Sequence, residues 1–312
     1  MSTPSPDILL IGTMSQRMTE GLTQRFPFHR VANEAALDTL APDIRARITV
    51  VIAASRIGAA TTAALPKLRF LLNAGIGYDQ LDLPPLRAAG VACANLAGLA
   101  DECVADMAVA LLLDVARGTS RGDRFVRAGK WGKEPFPFLN RITAKRLGII
   151  GLGSIGLAIA RRAEGFRMNI AYHNRRPRTD VPYRYAASLI ELAQMSDHLA
   201  IAAPGGPETR HLVDAAVLAA LPAHGIVVNI GRGSIIDQEA LMDALASGRL
   251  FGAGLDVLDG EPAVPPRLLT FDYVTLTPHR AGSTHETSDD AVDLTIRTLE
   301  AWFRDGTNLA PI

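Results

Sequence analysis

The sequence predicts an α/β fold in two domains, each built around a parallel sheet. Three observations predict it. Short apolar runs alternate with helical stretches along the chain, the order that yields parallel sheets with right-handed crossovers. The runs fall into two sets, 8–11, 49–53, 69–73 and 91–94, then 147–150, 169–172, 198–202, 226–230, 253–257 and 273–277. A glycine-rich turn follows the first strand of the second set. At 312 residues the length itself favours roughly two domains. The expected boundaries are 1–100 with 284–312 for one domain and 101–283 for the other.

The turn reads Gly151-Leu152-Gly153-Ser154-Ile155-Gly156, after the run Leu147-Gly148-Ile149-Ile150 and before a helix ending near Gly165. This is the strand–turn–helix setting of a Rossmann-like dinucleotide site. Gly151 permits the tight turn, Gly153 admits backbone N–H groups to the pyrophosphate, and Gly156 lets helix and strand pack closely. The positive end of the helix macrodipole, at Ser154 and Ile155, faces the anion. The alternative is a glycine-rich turn in an ordinary α/β protein.

An acidic residue about 20 positions past the glycines reads the ribose 2′-hydroxyl of NAD. Here the corresponding stretch is His173-Asn174-Arg175-Arg176-Pro177-Arg178, with no carboxylate. A carboxylate repels a 2′-phosphate, whereas a guanidinium pairs with it. The sequence therefore predicts NADP(H), with Asn174, Arg175 and Arg176 as contacts; the alternative is a solvated basic loop.

Composition narrows the function. With 48% hydrophobic and 21% charged residues and a formal net charge of zero, nothing suggests a nucleic-acid or anionic-membrane partner. No apolar run approaches the ~20 residues of a membrane span. The N-terminal Met-Ser-Thr-Pro-Ser-Pro-Asp lacks the features of a signal peptide. Cys93 and Cys103 have no metal-ligand spacing and read as reduced thiols of a cytoplasmic protein. No metal is expected.

The clearest helix is Asp101 to Arg117, with Val104, Met107, Ala108, Leu111, Leu112 and Val115 at helical spacing. Asp101 suits its start and Gly118 its end. A last helix over 287–304 carries Val292, Ile296, Leu299 and Trp302 on one stripe. Residues 129–141, with Trp131, Pro135 and Pro137, read as an irregular loop able to reach across an interface.

Three polar residues stand just past the carboxyl ends of expected strands: Arg232 after 226–230, Glu261 after 253–257, and His279 after 273–277. Open parallel sheets place ligands there. Singly each has a dull explanation, as a turn cation, a solvated acid or a satisfied polar residue. Together, beside a nicotinamide, they suit reduction of a 2-keto acid. Histidine can supply the proton to oxygen, a carboxylate orients the ring and favours imidazolium, and arginine holds and polarises the substrate.

The stretches 73–79, 100–113, 147–162, 229–237, 254–262 and 277–283, in this order, resemble the D-isomer-specific 2-hydroxyacid dehydrogenases along nearly the whole chain. The resemblance implies two Rossmann-like or flavodoxin-like domains with parallel sheets, a cleft between them, a homodimer, and Arg232, Glu261 and His279 as the catalytic trio. It also implies that Ile76 and Gly77 hold the substrate carboxylate through backbone N–H groups. Val104 and Asp256 would lie near the nicotinamide, and Pro204, Thr209 and Ile230 would border the cofactor. Residues 161–166, 172–175 and 123–131 are closest to NADP-dependent glyoxylate/hydroxypyruvate and hydroxyphenylpyruvate reductases. Two departures stand out: paired glycines in 203–209, and Arg280 beside His279. Ser55 and Arg56, on a substrate-side loop, are candidates to meet a substrate tail, with a solvated arginine as the alternative.

The reading is NADPH-dependent reduction of a small 2-keto acid to the D-2-hydroxy acid. Alternatives are a dehydrogenase of another 2-hydroxy acid and a non-catalytic nucleotide-sensing protein on the same fold. Phosphoglycerate dehydrogenase is disfavoured because no regulatory domain follows Ile312, and formate dehydrogenase because a glutamate stands at 261. Small keto acid is the expected partner.

Overall fold

The computed structural model describes residues 7–312. The N-terminal stretch read for a signal peptide lies almost wholly outside them. The chain divides into two compact units, one reaching to Ala100 and resuming over Ser283–Ile312, the other Asp101–Gly282.

The first unit contains β1 (Ile8–Gly12), α1 (Gln16–Thr23), β2 (Phe28–Val31), α2 (Pro42–Arg45), β3 (Val50–Ala54), α3 (Ala59–Ala64), β4 (Phe70–Asn73), α4 (Leu83–Ala88) and β5 (Ala92–Ala94). Its strands form one parallel sheet in the order β2-β1-β3-β4-β5. Both faces are covered, so the central strands are apolar throughout rather than alternating. Leu9, Ile11, Val51 and Leu71 fill one face; Ile8, Leu10, Val50, Ile52, Phe70 and Leu72 fill the other.

Strand β2 has no counterpart among the strands read from the sequence. Its residues Phe-His-Arg-Val are largely half-exposed, and an edge strand with polar side chains carries no apolar run. Pairing of Ile8 with Phe28 through Ile11 with Val31 makes it a strand.

The second unit begins with α5 (Asp101–Arg117) and α6 (Thr119–Arg127). It continues through β6 (Arg146–Ile150), α7 (Ser154–Gly165), β7 (Asn169–His173), β8 (Arg184–Tyr185), α8 (Leu189–Gln194), β9 (His198–Ile201), α9 (Ala215–Ala220), β10 (Ile226–Asn229), α10 (Gln238–Ala246), β11 (Gly252–Leu255) and β12 (Val274–Leu276). Its parallel sheet runs β12-β11-β10-β9-β6-β7-β8. The two-residue edge strand β8 is again too short and polar to show in the sequence. Two small residues bring α5 onto the sheet: a Cβ at Gly254 would lie 2.8 Å from the Leu111 Cβ, and one at Gly252 2.6 Å from Val115 Cγ1. Arg162 of α7 pairs with Asp106 of α5 at 2.6 Å, and Arg161 with Glu102 at 2.9 Å.

The final helix, α11 (His285–Asp305), belongs to the first unit. Its Trp302 stacks on Phe70 with ring centres 4.4 Å apart. Thr284 caps its start by accepting from the Thr287 N–H. Among the described residues no helix is long and apolar enough to cross a membrane, and no group of acidic, histidine and cysteine side chains could hold a metal ion. Cys93 is buried and Cys103 partly buried; neither forms a disulfide, and burial pushes the Cys93 thiol up.

Candidate active site

The strand order of the second unit reverses between β6 and β9. At such a point the loops leaving neighbouring strands diverge and open a crevice. The glycine-rich turn leaves β6 there. Gly151 has φ +91°, and a Cβ on it would stand 2.7 Å from the Ala203 N in the loop after β9. A Cβ on Gly156 would run into the Gly151 carbonyl oxygen. At Gly153 nothing stands within 4 Å of that position, and no side chain caps the first N–H groups of α7. The turn is close-packed behind and open in front, and its residues fit a dinucleotide pyrophosphate.

The loop after β7 is fastened to this turn. Asn174 Oδ1 accepts from the Leu152 N–H at 2.6 Å, and Arg178 Nη1 donates to the Leu152 carbonyl at 2.9 Å. Arg178 also pairs with Asp180. Asn174 thus turns its oxygen inward, and Arg175 and Arg176 remain as the exposed guanidinium groups of the loop. Arg175 lies 3.3 Å from the Glu208 carboxylate.

Loops after β10, β11 and β12 bring the three chemical side chains to the same carboxyl edge. Buried Asn229 ends β10 and shapes the turn that follows. Its Oδ1 accepts from the Gly231 N–H, and its Nδ2 donates to the Arg232 carbonyl, both at 3.0 Å. Half-buried Arg232 donates from Nη1 to the Gly231 carbonyl at 2.8 Å. A Cβ on Gly205 would sit 2.6 Å from Arg232 Cγ. One of the glycines that departs from expectation in 203–209 therefore makes room for the arginine stem. Gly233 lies against the backbone of Leu258 and Asp259 with no space for a Cβ, which seats the Arg232 loop on the loop carrying Glu261.

Glu261 accepts from the Leu258 N–H through Oε2 at 3.1 Å, while its Oε1 lies 2.5 Å from His279 Nδ1. A carboxylate only accepts, so Nδ1 carries the proton in this pair and Nε2 is the atom available for proton transfer. His279 is 48% exposed and Glu261 39%.

Backbone at His279 is left-handed, φ +53°, a conformation that costs a non-glycine residue roughly 1–2 kcal/mol. Its N–H donates to the Asp256 carbonyl at 2.8 Å. The Asp256 side chain is 2% exposed. Its Oδ1 accepts from the Thr277 hydroxyl at 2.5 Å and the Arg280 N–H at 2.9 Å, and its Oδ2 accepts from the Ala281 N–H at 2.9 Å. The Asp256 carboxylate thereby fixes the histidine loop.

Val104 is buried on α5, and Ile230 is buried past β10. Pro204 is exposed, and the Thr209 hydroxyl donates to the Pro204 carbonyl at 2.8 Å, closing its own loop. In the first unit Ser55 donates to the Ile11 carbonyl at 3.4 Å, and Arg56 is exposed. Ile76 and Gly77 lie in the turn after β4.

A protein-family model described as D-isomer specific 2-hydroxyacid dehydrogenase, NAD binding domain, matches residues 109–281. A glyoxylate/hydroxypyruvate reductase A of Arabidopsis thaliana is 38% identical over 98% of both chains. A hydroxyphenylpyruvate reductase of Plectranthus scutellarioides is 39% identical over 98% of both. Among solved structures, an NADPH-dependent glyoxylate/hydroxypyruvate reductase from Sinorhizobium meliloti, in complex with NADP and malonate, superposes with a TM-score of 0.92 at 36% identity, covering 99% of this chain and 97% of that one. The chain belongs to the D-isomer-specific 2-hydroxyacid dehydrogenase family.

Proposed function

We propose that the protein reduces a small 2-keto acid of the glyoxylate/hydroxypyruvate class to the D-2-hydroxy acid, with NADPH as reductant. The observation that carries this reading is the His279–Glu261 pair, set at the carboxyl edge of the sheet that also bears the glycine-rich turn. Bound NADPH supplies the hydride that adds to C2 of the substrate. His279, protonated on both nitrogens, gives the Nε2 proton to the carbonyl oxygen as that oxygen gains charge. Glu261 keeps Nδ1 protonated and the ring oriented. Arg232 pairs with the substrate carboxylate and polarises the carbonyl. In the reverse direction His279 removes the hydroxyl proton.

Preference for NADPH is supported by the two exposed arginines after β7 and the absence of a carboxylate within 173–178. The relative from Sinorhizobium meliloti is named as NADPH-dependent. Residues 101–283 are assigned to dinucleotide binding, and 1–100 with 284–312 to the substrate, whose carboxylate meets the N–H groups of Ile76 and Gly77. We also assign the protein to the cytoplasm as a homodimer. Exposed Trp131 and Phe138 in the irregular segment 129–141 support the dimer, and sedimentation at two chain masses would bear it out.

The deciding experiment is a panel of 2-keto acids assayed with NADPH and with NADH, with the product resolved on a chiral column. The reading requires turnover of glyoxylate or hydroxypyruvate, a D product where the product is chiral, and the higher kcat/KM with NADPH. Absence of reduction across the panel would support a nucleotide-sensing role instead.

A further inference from the structure

The turn after β4 is folded around two buried amides. Asn73, fully buried, ends β4. Its Nδ2 donates to the Gly75 carbonyl at 2.8 Å and to the Gly77 carbonyl at 3.0 Å, using both of its protons. Its Oδ1 accepts from Gln80 Nε2 at 3.0 Å, so the side chain is satisfied. Asn95, 1% exposed, donates from Nδ2 to the Ile76 carbonyl at 2.8 Å and accepts from the Ala97 N–H at 3.1 Å. The Gly75 carbonyl also accepts from the Leu96 N–H at 3.2 Å.

Three successive carbonyls therefore point into the protein. In a planar trans peptide the N–H of the next residue points the opposite way. The N–H groups of Ile76, Gly77 and Tyr78 are accordingly turned outward, and none donates to an acceptor among the described residues. Successive outward N–H groups make a concavity suited to an anion.

We infer that Asn73 and Asn95 are positioning residues for substrate: by holding the carbonyls of Gly75, Ile76 and Gly77 inward, they create the N–H cradle for the substrate carboxylate, with Tyr78 N–H as a third donor. This rests on the reductase reading of the same turn. It goes further by naming what sets the turn's polarity. Without either amide, a carbonyl loses its buried donor and the peptide rotates to find water, which carries the adjacent N–H away from the substrate.

The test compares wild-type protein with Asn73→Ala and Asn95→Ala, each saturated with NADPH. Oxamate, a carboxylate that the enzyme does not reduce, is titrated by calorimetry, and KM and kcat are measured for hydroxypyruvate. Expected results are a tenfold or greater rise in the oxamate Kd and the keto acid KM, with kcat within threefold and the NADPH Kd within twofold of wild type. A merely structural role would weaken NADPH and substrate together and lower kcat. That pattern, or an oxamate Kd within twofold of wild type in the folded variants, overturns the inference. Asn95→Ala leaves all three Asn73 bonds in place and carries the test alone if Asn73→Ala does not fold. The titration reads carboxylate binding whatever the reaction. Wild type that binds oxamate but reduces no keto acid removes the functional reading, while weakened oxamate binding in the variants would still uphold the cradle.

Discussion

His279 Nδ1 and Glu261 Oε1 lie 2.5 Å apart, although the residues leave different strands of the sheet. The charge on Glu261 makes this bond stronger than a neutral one by about 1–1.5 kcal/mol. Glu261→Gln keeps an acceptor and drops the charge, so kcat is expected to fall roughly tenfold, with the NADPH KM unchanged. Steady-state kinetics on the variant checks this; an unchanged kcat would show that the pair is only structural.

Asp256 acts on the same histidine from behind. Its oxygens accept from the Thr277 hydroxyl and the Arg280 and Ala281 N–H groups. Asp256→Asn replaces one acceptor by a donor facing an N–H, a buried mismatch worth about 1–3 kcal/mol. The expected outcome is a lower kcat together with a lower melting temperature. Calorimetry and kinetics on the same preparation separate the two effects.

Arg175 and Arg176 are the exposed cations of the β7 loop. A charge-assisted hydrogen bond contributes about 1.5–3 kcal/mol, so the double replacement Arg175→Ala, Arg176→Ala should raise the NADPH KM roughly 10- to 100-fold. The NADH KM should hardly change. Equal weakening of both coenzymes would place the 2′-phosphate elsewhere.

Acid sensitivity is expected from the foot of β9. His198 is fully buried, and neither ring nitrogen has a hydrogen-bond partner among the described residues. Burial drives it down to about 4 from an ordinary 6.5; Asp197 raises it, while His224 and Lys145 lower it. The folded state therefore holds a neutral ring where the unfolded chain takes up a proton. Stability present above pH 6.5 is lost as pH falls towards 4, by about 3 kcal/mol. Burial favours the neutral acid at Asp197, but bonds from Arg146 and His224 outweigh it and hold the carboxyl well below its usual range. Its contribution is lost only at still lower pH. Melting temperatures between pH 7 and pH 4.5 should fall less for a folded His198→Leu variant than for wild type.

Much of this architecture is legible in the chain because buried parallel strands are apolar along their whole length. Helix α5 is readable to the residue, since its apolar stripe runs from Val104 to Val115 between Asp101 and Gly118. Edge strands β2 and β8 are not, because their identity comes from pairing with β1 and β7 rather than from their own residues. The chemical side chains are legible for a positional reason: each stands just past the end of a strand. What holds them is harder to see. Asn73 and Asn229 end apolar strands and Asp256 follows one; all three are buried, and each shapes the loop beyond it. A polar residue closing an apolar strand was the available signal, and it marks a support rather than a reactant.

The most direct measurement is turnover of hydroxypyruvate with NADPH by the His279→Ala variant, beside a fluorescence titration of NADPH binding. General acid catalysis contributes on the order of 10²–10⁴ in rate. The account predicts a loss of that size in kcat with NADPH affinity retained. Near-normal turnover in the variant would contradict it.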